Sequence, residues 1–132
     1  MSVRVLVVDD EPDVETLFRQ QFRREVRSGQ FALDFAPSGE AALSKLSDSI
    51  ADEIVLVLSD INMPGMSGLD LLPEVKQRRP DLTVIMISAY GDAPTVQTAM
   101  QRGADNFVTK PVDFPRLKQH VSDVVTQVRG ST

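Results

Sequence analysis

At 132 residues, with 42% hydrophobic and 25% charged side chains, the chain is long enough to bury one core and reads as a single soluble domain. Its formal charge of -5 speaks against a nucleic-acid surface, which needs a basic face, and the absence of cysteine excludes disulfides and thiolate metal sites. No apolar run approaches the ~18 residues of a membrane span, and the first apolar run ends in Asp9-Asp10 instead of a leader-like cleavage region, so a cytoplasmic protein with no membrane partner is expected.

Val3 to Val8 is short and rich in β-branched residues, which predicts a strand, and it stops at Asp9-Asp10-Glu11. Pro12 suits a first helical turn. Val14, Leu17, Phe18, Phe22 and Val26 then recur at helical spacing, predicting one helix that stops at Gly29. Arg23, Arg24 and Arg27 crowd its end and read as a solvated helix terminus, where cations suit the dipole. Phe31, Leu33 and Phe35 alternate with Ala32 and Asp34, the pattern of a half-exposed strand at a sheet edge. Ser38 caps a second helix with Ala42, Leu43, Leu46 and Ile50 inward. Ile54 to Leu58 is apolar throughout, as a central strand covered on both faces would be.

That central run gives out at Asp60 and passes through Pro64-Gly65 to Gly68. A third helix carries Leu69, Leu72, Val75 and the stem of Lys76, and Pro73 inside it predicts a kink or a late start. Val84 to Ile87 is another buried strand, followed by Ser88-Ala89-Tyr90-Gly91. Pro94, Val96, Ala99 and Met100 form a fourth helix closed by Gly103. Met63, Met66, Met86 and Met100 read as packing. Asn106 to Thr109 is the last strand and runs into Lys110-Pro111. Asp113 caps a fifth helix with Phe114, Leu117, Val121, Val124, Val125 and Val128 on one face. His120 lies beside that face with no carboxylate at helical spacing, and reads as a surface histidine. Residues 1–129 are expected to form the domain, and 130–132 a tail or the start of a linker. The β-α repeat predicts an α/β doubly wound sheet of five parallel strands and five helices, joined by right-handed crossovers.

In such a fold the carboxyl ends of all strands lie on one rim, where ligands bind. Asp9, Asp10, Asp60, Ser88 and Lys110 each stand just past a strand end, so topology alone brings them together. Three carboxylates in one pocket repel, and a hard divalent cation and a lysine are what the cluster needs. Oxygen ligands without Cys or His point to Mg²⁺. A carboxylate beside Mg²⁺ and a lysine can attack phosphorus, with the two cations neutralising the transferring phosphoryl oxygens.

The chain resembles the receiver domains of two-component response regulators. The residues that carry the resemblance are Val7-Val8-Asp9-Asp10-Glu11, Asp60 through Gly68, Ser88-Ala89, and Phe107-Val108-Thr109-Lys110-Pro111. It implies the flavodoxin-like strand order 2-1-3-4-5 and a phosphorelay switch that is not a turnover enzyme. By the same resemblance Asp60 accepts phosphate from a sensor histidine kinase or a histidine phosphotransfer protein. Asp10, Asp60 and the backbone carbonyl of Asn62 hold Mg²⁺, with Asp9 acting through a water. Lys110 pairs with the phosphate, and the backbone at Asn62 and Ala89 contacts it. Ser88 and Phe107 form the switch, which repacks the face made by the fourth helix, fifth strand and fifth helix. That face serves a downstream protein, a fused output domain or a homodimer. The resemblance further implies a cis bond at Lys110-Pro111, and Tyr90 is placed to shield the phosphoryl group from water.

Three rival readings are open to discrimination. A phosphatase of the haloacid-dehalogenase type would need a second aspartate two residues after the nucleophile as general acid, and Asn62 stands there. A flavin or nucleotide binder of the same topology would want a glycine- or hydroxyl-rich loop after the first strand, where this chain has three acids. An unphosphorylated docking module would have no use for the set Asp10, Asp60, Ser88 and Lys110.

Overall fold

The structure is a computed structural model that describes residues 3–48 and 51–130. Among the described residues the elements are β1 (Arg4–Val8), α1 (Pro12–Gln21), α2 (Arg23–Arg27), β2 (Ala32–Ala36), α3 (Gly39–Leu46), β3 (Ile54–Asp60), α4 (Gly68–Arg78), β4 (Thr83–Ser88), α5 (Ala93–Gln101), β5 (Asn106–Thr109) and α6 (Phe114–Gly130), with a 3-10 turn at Ala51–Glu53. Every strand pair is parallel and the order is β2-β1-β3-β4-β5, the doubly wound sheet expected from the alternation. β3 sits at the centre, as its unbroken apolar run required, and β2 lies at an edge, as its alternation required.

The period-two pleat divides the strand side chains between two cores. Leu6, Val8, Val57, Val84 and Met86 pack under α3, α4 and α5. Val5, Val7, Leu56, Leu58, Ile85 and Ile87 pack under α1 and α6. Burying a side chain of this size contributes about 1.5–3 kcal/mol, so these two rows hold the sheet between its helices.

The expected single first helix is two. Phe22 leaves helical geometry at φ −103° and ψ 14°, with its ring stacked on Phe18 and edge-on to Phe31. The break shifts the inward position by about one residue. Glu25 therefore turns in, with a side chain 17% exposed, while Val26 is 38% exposed. Val26 thus leaves the predicted apolar stripe, and Leu17 is also 40% exposed.

Smaller departures follow the same logic of packing over pattern. α4 starts at Gly68 and runs through Pro73, so the late start does not occur; Leu71 and Leu72 are its deepest leucines, with Leu69 only half-buried. Met63 and Met86 are buried, but Met100 is 47% exposed and packs on nothing that would bury it. Gly130, expected in a tail, is the last residue of α6. Ile50 and the tail residues 131–132 lie outside the described residues.

Candidate functional site

Register brings the distant acids together. Val8 pairs with Ser59 across β1 and β3, so Asp9 stands level with Asp60. Asp60 pairs with Ile87 on β4, which puts Ser88 one residue beyond, and Ser88 pairs with Thr109, the residue before Lys110. Backbone bonds hold this rim: Asp9 N donates to Ala36 O at 3.1 Å, Ile61 N to Ile87 O at 3.2 Å, and Lys110 N to Ser88 O at 2.8 Å.

The pleat then sorts the chemistry by face. Asp60 continues the row Leu56–Leu58, Asp9 the row Val5–Val7, and Lys110 follows Val108, all on the side of α1 and α6. Ser88 continues from Met86 on the opposite side, which it shares with Phe107. Asp9, Asp60 and Lys110 therefore follow one pleat row at the rim, and Ser88 and Phe107 the other.

Two glycines let the loop after Asp60 close tightly. Gly65 takes φ +76°, a region open to glycine at little cost. A Cβ on Gly68 would run into the carbonyl oxygen of Asp60 and stand 2.8 Å from Ile61 Cα, so only glycine lets α4 begin against the end of β3.

Asp60 is 7% exposed, and Lys110 Nζ donates to its Oδ2 at 3.4 Å. Asp9 Oδ1 accepts from the N–H of Glu11 at 2.9 Å. Carboxylate oxygens of Asp9, Asp10 and Asp60 lie within 4.8 Å of one another. Burial pushes the Asp9 carboxyl above its ordinary range; the Glu11 N–H opposes this and the charge of Asp60 reinforces it. An all-oxygen trio under such mutual repulsion has the donor set of a hard divalent cation, and Mg²⁺ fits it.

Asp9, Asp10, Asp60 and Lys110 are thus one cluster. Ser88 is fully buried beside it, its Oγ accepting from Tyr90 N at 3.0 Å. Phe107 is half-buried against the core that includes Met86 and Ala99. Asn62 and Ala89 are exposed at the loops where they were expected, and Tyr90 is 61% exposed. The Lys110–Pro111 bond is cis. His120 is not a free surface residue: it is half-buried, with Asn106 Nδ2 3.3 Å from its Nδ1.

One feature of the site was not legible as such. An apolar cavity of about 340 Å³ opens beside Asp60 and Lys110, walled by Val14, Leu17, Phe18 and Phe114. Its signal in the sequence was the 14-17-18 spacing, which reads equally as core.

Residues 5–122 match the family model described as the response regulator receiver domain. The response regulator protein PilR of Pseudomonas aeruginosa is 38% identical over 120 residues, which cover 90% of this chain and 25% of that protein. The chain spans about a quarter of the length of the curated relatives it matches first. A response regulator receiver domain protein from Clostridium thermocellum superposes with a TM-score of 0.85 at 25% identity, covering 98% of this chain and 99% of that one. A chain of the CheX-CheY-BeF3-Mg complex from Borrelia burgdorferi superposes with a TM-score of 0.81 at 33% identity, covering 92% and 88%.

Proposed function

The chain belongs to the response regulator receiver family, and on that premise we propose that Asp60 is a phosphoacceptor switching a signalling surface. The observation that carries the reading is the ion pair of Lys110 with a nearly buried Asp60 inside an acidic trio. A carboxylate oxygen of Asp60 attacks phosphorus, the P–N bond of a phosphohistidine breaks, and the imidazole leaves with the electron pair. The donor is a sensor histidine kinase or a histidine phosphotransfer protein.

Asp10, Asp60 and the Asn62 carbonyl would hold Mg²⁺, with Asp9 acting through a water; the ion would neutralise phosphoryl oxygens during transfer. Lys110, which donates to Asp60 Oδ2, would share that task. Once the phosphoryl group is in place, Ser88 turns its hydroxyl toward it and releases the Tyr90 N–H. Phe107, on the same side of the sheet as Ser88, moves into the space vacated. The face formed by α5, β5 and α6 is thereby repacked for a downstream protein, a fused output domain or a second copy. Tyr90, two residues past Ser88, shields the phosphoryl group from water. The unit responsible is residues 1–129, extended by Gly130, the last residue of α6. It works in the cytoplasm as a switch whose only chemistry is on itself.

Intact mass after incubation with acetyl phosphate and Mg²⁺ tests this. A single phosphoryl adduct that is lost in Asp60→Asn and in a metal-free control is expected. No adduct despite Mg²⁺ binding would overturn the mechanism in favour of an unphosphorylated docking module.

A further inference from the structure

Acids outnumber bases in this chain, 19 to 14, and most of its cations are paired. Every lysine, with Arg4, Arg19, Arg78, Arg79 and Arg102, stands in an ion pair. Among the described residues Arg23, Arg24 and Arg27 stand in none, although all three crowd the short helix α2. Two features of the fold leave them so. Glu25, the one acid of α2, is turned inward after the break at Phe22, with Lys118 Nζ 3.5 Å from its Oε1. The carbonyls at the end of α2, which ordinarily attract cations, are taken as well. Ser28 N donates to Arg24 O, Gly29 N to Val26 O and Gln30 N to Glu25 O, and Ser28 Oγ adds a second donor to Glu25 O. Just beyond, Arg129 Nη2 donates to Gly29 O at 3.2 Å and to Gln30 O at 2.8 Å.

The three arginines line one open hollow of about 850 Å³, where the end of α1, α2 and Lys118 of α6 meet. Gln20, Gln21 and Ser28 complete its lining, so among the described residues no apolar or aromatic side chain contributes. Like charges three and four residues apart on a helix repel, and an anion set among them removes that cost. A protein partner would need an apolar centre from which water is excluded. A nucleobase would need an aromatic or apolar wall to stack on. The hollow has neither, and offers charged, amide and hydroxyl groups alone.

We propose that this hollow is a binding site for a small multivalent anion of the oligophosphate class. Guanidinium groups match phosphate oxygens two at a time, and a chain of linked phosphates carries enough charge to engage all three. Lys118, already paired with Glu25, contributes less. From Pro12 to Arg23 the chain runs about 15 Å along α1, away from the acidic rim. The site is therefore separate from Asp60, and it does not rest on the function proposed above.

Calorimetric titration of the whole protein with sodium tripolyphosphate, in metal-free buffer of low salt, tests the site. Saturable binding is expected, at least about tenfold tighter than that of orthophosphate, which cannot span three arginines. Arg23→Gln, Arg24→Gln and Arg27→Gln should each weaken it by about fivefold, as the loss of one exposed charged contact does. The triple variant should abolish it. All three side chains are exposed, so these substitutions leave the core intact. ATP is expected to bind no tighter than tripolyphosphate, since nothing in the lining takes a base. A hexaglutamate peptide, which must be ordered to bind, should be weaker by about tenfold or more. No binding of tripolyphosphate would overturn the proposal, as would equal affinity for orthophosphate or hexaglutamate, or tighter binding of ATP. Binding that survives the triple variant, or that is lost in Lys110→Ala, would overturn it too, because the anion would then sit elsewhere.

Discussion

Lys110 and Asp60 meet at 3.4 Å where one partner is 32% and the other 7% exposed, so their attraction is less screened than that of a surface pair. Lys110→Ala should slow phosphorylation by acetyl phosphate by about 10²-fold, because it removes a donor placed for the charge that develops on phosphorus oxygens. Mg²⁺ affinity, measured by titration in the same variant, should hold or tighten, since a competing cation has gone. Asp9 makes a second prediction with a definite sign. Its folded-state pKa lies above the ordinary 3.8, so the folded protein holds this proton longer than the unfolded chain does. The penalty is absent below the unfolded pKa and complete above the folded one, and metal-free stability should fall as pH rises between them. Asp9→Asn should flatten urea-melt midpoints across that window and raise them at neutral pH, a gap that Mg²⁺ should narrow. That the three acids would meet could be read from their position after strands; that Asp9 and Asp60 share one face could not be, because it needs the β1–β3 register.

At the scale of elements, capped helix starts were legible, whereas the start of α4 and the inward faces of α1 and α2 were not. Ser38 and Asp113, both expected as caps, accept from Ala41 N and Arg116 N at 3.1 and 3.2 Å at the starts of α3 and α6, since a local side chain can satisfy an orphan donor without tertiary help. Ser38→Ala should cost about 1 kcal/mol in urea denaturation. Gly68→Ala should be worse, about 1–3 kcal/mol, because a methyl group there meets backbone and cannot be relieved by a rotamer change. It should also slow phosphorylation by displacing Asp60, which separates it from a plain stability variant. The break at Phe22 had no sequence signal. Val26 fits the helical period as well as Glu25 defies it, and the shift follows from how three aromatic rings pack.

For the molecule as a whole, a cation held by the acidic rim would couple ligand binding to stability. Mg²⁺ at 100 times its dissociation constant should stabilise the fold by about 2.7 kcal/mol, seen as a rise in Tm that Asp10→Asn or Asp60→Asn abolishes. Excess EDTA should return the wild type to the variants' value. The β-α alternation, the two-sided burial of β3 and the exposed edge at β2 were determined by the sequence alone, because hydrophobic periodicity is a local property that every segment carries by itself. That Asp9, Asp10, Asp60, Ser88 and Lys110 stand on one rim was determined there too, since strand ends share it whatever the register. Only the tertiary structure decided which of those residues face one another, that Ser88 and Phe107 follow the other pleat row from Asp60, and that Arg102 donates to the Leu69 carbonyl that Pro73 leaves without its helical partner. Each of these depends on a register, a break or a crossing between segments far apart in the chain, and no window of neighbouring residues contains that information.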